Sequence, residues 1–220
     1  MPNSKFTILI VLLFCSLHTF AVDYFWIGGS GNWGDLNHWA TASGNGTVLH
    51  NKTPGSGDDV YFDANSFSGT TATITMNVQT AFCRSLSINS IAYLTINLPS
   101  NNYLRVFGDI DIDNFQIVGS GIISCESPVL GRTISTSYNY IPILEFNSFV
   151  GGWQLLDSLY AGSITKNSGS LTSNQNYIQF VICDDYSPIT HVVSNMQYTI
   201  AIESYLSSDV VNGIDTPCVK

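Results

Sequence analysis

From residue 72 onward, apolar side chains recur at every second position. Ala72-Thr-Ile74-Thr-Met76-Asn-Val78, Leu86-Ser-Ile88, Leu94-Thr-Ile96-Asn-Leu98, Leu104-Arg-Val106 and Ile110-Asp-Ile112 alternate with polar residues, and Asn, Ser, Pro or Gly ends each run. A period of two places one set of side chains in a core and the other in water, so each run predicts a half-buried strand. The runs begin about 6–13 residues apart with no helical periodicity between them, which makes the chain all-β. Two assemblies fit. A right-handed parallel β-solenoid winds three short strands per coil with a period of roughly 20–30 residues, and an antiparallel β-sandwich folds the same strands as hairpins. Hairpin dipeptides are almost absent between the strands, which favours the solenoid. Ile143-Leu-Glu-Phe146, Ile178-Gln-Phe180-Val-Ile182 and Tyr198-Thr-Ile200-Ala-Ile202 extend the strand-rich body, residues 69–220.

Two segments precede the body. Residues 1–21 carry Lys5, the apolar run Phe6 to Phe14 and the small residues Thr19 and Ala21 around Phe20, the pattern of a secretory signal peptide. Its apolar core is shorter than the ~20 residues that cross a bilayer, and no later segment approaches that length, so no transmembrane segment is expected after its removal. Residues 22–68 form an aromatic, Gly-rich head. Gly28-Gly-Ser-Gly-Asn32 and Pro54-Gly-Ser-Gly-Asp58 are turn clusters, since Gly supplies positive φ and Asn or Asp closes local side-chain bonds. No linker separates head from body, so one domain with an aromatic N-terminal cap is expected.

Composition narrows the class. The 220 residues hold 16 acidic and 7 basic side chains, a formal charge of −9, and are 45% hydrophobic but only 10% charged. That hydrophobic share excludes disorder. Scattered single cations exclude nucleic acid as a partner, because phosphate binding needs clustered Lys and Arg. Beyond Cys15, four cysteines remain, Cys83, Cys125, Cys183 and Cys218. In an exported chain an even number makes them disulfide candidates with three connectivities open.

Candidate chemistry is sparse. Trp26, Trp33 and Trp39, with Tyr24, either stack on a ligand such as a sugar or pack over the open end of the β-core. Asp109, Asp111 and Asp113 alternate along one run, which puts three carboxylates on one strand face and makes calcium a candidate ligand; the same acids beside Arg105 as base would suit a polysaccharide lyase. His38 and His50 lie near carboxylates, but no nucleophile stands on a sharp turn and G-x-S-x-G is absent. No catalytic residue is assigned.

Taken together, Tyr24-Phe-Trp26-Ile-Gly-Gly-Ser-Gly-Asn-Trp33-Gly-Asp35-Leu-Asn37-His38-Trp39 and Asp58-Asp-Val-Tyr-Phe-Asp63-Ala-Asn-Ser-Phe67 resemble the N-terminal module of large secreted or surface adhesin-like proteins of Bacteroidetes, of the type IX secretion and gliding-associated kind. The triplet Asp157-Ser158-Leu159 resembles the short O-glycosylation acceptor of exported proteins of that group. The resemblance implies an exported protein of the outer surface or extracellular space, part of a larger protein or assembly. Its expected role is that of a non-enzymatic adhesin-like module with a glycan or surface protein as partner; the alternatives are a carbohydrate-active enzyme or a purely structural fragment.

Overall fold

The computed structural model describes residues 21–44, 48–173, 178–184, 187–193 and 199–200. The expected signal peptide, save Ala21, and Cys218 lie outside these residues, as does the side chain of Cys183. Three short head strands, β1 (Asp23–Trp26), β2 (Gly31–Asn32) and β3 (Trp39–Ala40), precede the coils. Strands β4 (Asp59–Phe62), β5 (Thr71–Thr75) and β6 (Thr80–Cys83) make one coil. The next is β7 (Leu86–Ile88), β8 (Tyr93–Asn97) and β9 (Tyr103–Val106), and a third is β10 (Ile110–Ile112), β11 (Phe115–Val118) and β12 (Ile122–Cys125). After β13 (Arg132–Ser135) come β14 (Tyr140–Leu155), β15 (Leu159–Thr172), β16 (Ile178–Asp184), β17 (Ser187–Val193) and β18 (Thr199–Ile200).

Within the coils each strand pairs in parallel with its counterpart three strands later, never with its chain neighbour. Val60, Leu86, Ile110 and Ile134 stack in register on one side, Ala72, Leu94 and Phe115 on a second, and Ala81, Leu104, Ile123 and Leu144 on a third. The chain is therefore a parallel β-solenoid of about five turns, and the sandwich alternative falls. Alternation in the sequence becomes alternation across the coil wall: Leu94 and Ile96 point into the core while Tyr93 and Thr95 point out. Corners are tight. Gly119 has φ +99°, and a Cβ there would strike the carbonyl of Leu98 one coil below.

The expected aromatic cap is present. β1 adds in parallel to β4, β3 runs antiparallel to β1, and β2 adds to β5, so the head closes the first coil. Trp39 meets Trp26 and Trp33 edge-on, with ring centres 4.9 Å apart in both pairs, and Phe62 of the first coil packs against all three. The indole N–H groups are satisfied inside: Trp39 Nε1 donates to the Trp33 carbonyl at 2.8 Å and Trp26 Nε1 to that of Gly29 at 2.7 Å. A single buried cluster runs from Tyr24 to Ile178, so head and body share one core.

The solenoid changes cross-section after β12. The sheet β2-β5-β8-β11 ends at β11, whereas β14 serves both remaining sides, pairing with β12 through Leu144–Phe146 and with β13 through Trp153–Leu155. A turn over residues 136–139 stands where the strand of the second side, that of β5, β8 and β11, would follow β13. Among the described residues no helix is long and apolar enough to cross a membrane.

Candidate functional site

The outward positions of β6, β9, β12 and β14 form a continuous face in which polar side chains alternate with Phe82, Ile122 and Ile143. Phe82, Arg105, Ser124, Glu145 and Thr165 stand in one transverse row, each in register with the next. Beside them a depression of about 300 Å³ is lined by Thr80, Tyr103, Arg105, Ser124, Glu126, Glu145 and Asn147. Arg105 fixes its centre. Its Nε donates to Glu126 Oε1 at 2.5 Å and its Nη2 to Oε2, and the guanidinium carbon lies 5.7 Å from the Phe82 ring and 6.0 Å from that of Phe107. Ser124 Oγ adds a 2.8 Å bond to Glu126, and Asn167 Nδ2 donates to Glu145 Oε1 at 2.9 Å.

The hydrogen bond to Glu126, and after it the charges of Glu126 and Glu145, outweigh desolvation and raise the Arg105 pKa above its ordinary value. Arg105 is thus a fixed cation locked in a planar two-point pair. As a permanently charged guanidinium it is a poor proton acceptor. What the depression offers is binding chemistry: a tyrosine ring and hydroxyl, uncharged hydrogen-bonding groups from Thr80 and Asn147, and an ion pair braced from below by the buried Ser124 hydroxyl.

Other expected site residues are placed differently. Tyr24, Trp26, Trp33 and Trp39 are 0–1% exposed, so no ring face of theirs is open to a ligand; they are the cap. The histidines support them. His38 stacks on Trp26 with ring centres 4.5 Å apart and donates from Nδ1 to the Ile27 carbonyl, and His50 stacks on Tyr24 at 3.6 Å. Asp109, Asp111 and Asp113 make no cation site, and among the described residues no group of three His, Cys, Asp or Glu side chains is able to hold a metal ion. Only Asp111 lies on a strand. Asp109 occupies the preceding corner and takes the Thr133 N–H and the Arg132 guanidinium, while Asp113 accepts from the Asn114 N–H.

The disulfide expectation fails for the two cysteines described. Cys83 and Cys125 are free and buried. Both are in register with Val106, one strand to either side, so their Cα atoms stand two strand spacings apart, roughly 9–10 Å, beyond the ~7 Å reach of a disulfide. Ser158 of the O-glycosylation-like triplet is 7% exposed, which hides its hydroxyl from a transferase, and Asp157 is committed to the 136–139 turn.

Sequence reasoning missed Tyr103, Glu126 and Glu145. They lie far apart in the chain, and only the parallel register brings them together. The available signal was the coil itself: polar residues outward on successive strands of one side, about one coil apart. No protein-family model, no curated protein and no solved structure matches the chain.

Proposed function

We propose that the chain is an exported, non-enzymatic, adhesin-like module of the outer surface or extracellular space, and that it holds a glycan against the outer face of β6, β9, β12 and β14. The observation that carries this reading is the depression around Tyr103 and Arg105. Its groups are arranged to hydrogen-bond hydroxyls and to face a ring, and its ion pair is immobilised before any ligand arrives, which lowers the ordering cost of binding. The resemblance of the head to surface adhesins supports the same compartment.

The test is a glycan array and polysaccharide pull-down with the purified chain, run with calcium and with chelator, on wild type and Tyr103→Ala. Retention without release of shorter products, equal in both buffers and weakened in the variant at an unchanged melting temperature, supports the proposal. Product release makes the chain an enzyme. Absence of retention favours the second reading, a structural cap within a larger assembly, which the complete burial of the tryptophan head supports.

A further inference from the structure

The turn that takes the place of the β5-β8-β11 side of the solenoid is strained and holds an aromatic residue outward. Ser137 and Tyr138 both adopt positive φ, +47° and +63°, a left-handed conformation unfavourable for residues with a Cβ and rare for a bulky ring. Asp157 keeps them there. Its carboxylate accepts from the backbone N–H groups of Thr136 at 3.0 Å and Ser137 at 2.6 Å and from Ser135 Oγ at 3.1 Å. The ring so presented is 68% exposed, and two more tyrosines stand beside it. Tyr140 is 54% exposed and in register with Tyr160, whose ring centre lies 6.4 Å from that of Tyr138. A Cβ on Gly162 would collide with the Tyr140 hydroxyl, so the glycine makes room for that ring.

From this cluster we infer a second glycan contact, a stacking platform of Tyr138, Tyr140 and Tyr160 that takes the face of an uncharged pyranose. Strain retained beneath an exposed ring, and clamped by a saturated carboxylate, fixes the backbone that presents that ring before binding. None of the three side chains is charged, and the Asp157 oxygens are occupied by donors, so the patch complements a neutral sugar and offers no cation to a uronate or sulfate. The platform shares β14 with the Tyr103 depression: the alternation of buried and open positions breaks at Pro142 and Ile143, so Tyr140 and Glu145 are both open although five residues apart, and that length of chain spans at most about 16 Å, within reach of one short oligosaccharide. This inference rests on the reading of the chain as a glycan-binding module and adds to it a second contact and a ligand charge.

Affinity electrophoresis of the full chain through gels holding mannan, mixed-linkage β-glucan or alginate tests it. Tyr138→Gly removes the ring and relieves the left-handed strain, so its melting temperature should hold or rise while retardation by the neutral polymer that retains wild type weakens about three- to tenfold. Tyr140→Ala, away from the strained turn, should weaken it by a similar factor. If both variants are retarded like wild type while Tyr103→Ala is not, the platform is overturned and the binding module stands. Equal retardation by alginate overturns the neutral assignment, and a wild-type chain retarded by none of the polymers overturns the module reading together with the platform.

Discussion

Asp109 Oδ1 accepts the backbone N–H of Thr133 at 2.8 Å and its hydroxyl at 3.2 Å, one coil above. The same position repeats down the solenoid. The Ser85 N–H donates to Asp59 Oδ1 at 3.1 Å, and the Asp109 N–H to Ser85 Oγ at 3.4 Å. Asp59, Ser85, Asp109 and Thr133 thus form a side-chain ladder at one corner, in which each coil caps the next. Asp109→Ala deprives the Thr133 N–H of its partner and should cost about 1–3 kcal/mol in urea unfolding. Melting should be the same in calcium and in chelator for both proteins; a calcium-dependent wild-type transition lost in the variant would revive the metal site.

The tryptophan cap makes a contrasting prediction about stability. Trp39→Ala empties the centre of the cluster and leaves the Trp33 carbonyl without its indole donor. Truncation of a buried Trp costs about 3–5 kcal/mol, so the urea midpoint should fall sharply with glycan retention per folded molecule unchanged. Lost retention at wild-type stability would return the rings to the ligand.

The alternation of Leu94, Ile96 and Leu98 made the strands legible, because period two is a local property of the chain. The function of Asp109, Asp111 and Asp113 was not legible for a reason of length. Their strand is three residues long, Ile110–Ile112, and has room for one outward side chain, so the flanking acids turn into corners, where Asp109 meets the next coil and Asp113 accepts from the adjacent Asn114 N–H. The tryptophans posed a related problem. Aromatic spacing does not distinguish rings that cover a core from rings that face water; the pairing of β1 with β4 decides it. The Arg105 and Glu126 pair and the tyrosine platform depend on register between coils, which no local pattern fixes.

Acid should act on the Asp59 and Arg84 pair. Burial raises the Asp59 pKa, but the Arg84 hydrogen bonds and charge, with the Ser85 N–H, outweigh it and hold the carboxyl below its ordinary value. A folded-state pKa below the unfolded one stabilises the fold above the unfolded value, about 4, and that contribution is lost as pH falls through the folded value. Between about pH 5 and pH 2 wild type should therefore lose stability more steeply than Asp59→Asn, which is weaker at neutral pH. Parallel acid limbs in urea midpoints measured across this range would show that the pair does not set the acid sensitivity.

The two described thiols give a last prediction. Desolvation, before any nearby charge, pushes the pKa values of Cys83 and Cys125 far above the ordinary thiol range, and both side chains are 0% exposed among Val106, Phe146 and their neighbours. Alkylation requires a thiolate in contact with the reagent, so neither should react while the coils are closed. Iodoacetamide labelling read site by site by mass spectrometry should find both unmodified in the native chain at pH 8 and fully modified in urea. Their labelling should rise with the same midpoint as global unfolding, because the core they occupy is continuous from the cap to Ile178. Labelling of Cys125 ahead of Cys83 would mean that β14 and the later, two-sided coils peel away from β12 before the three-sided coils open, and the solenoid would then unfold in parts, with its weaker half beginning after the sheet that ends at β11.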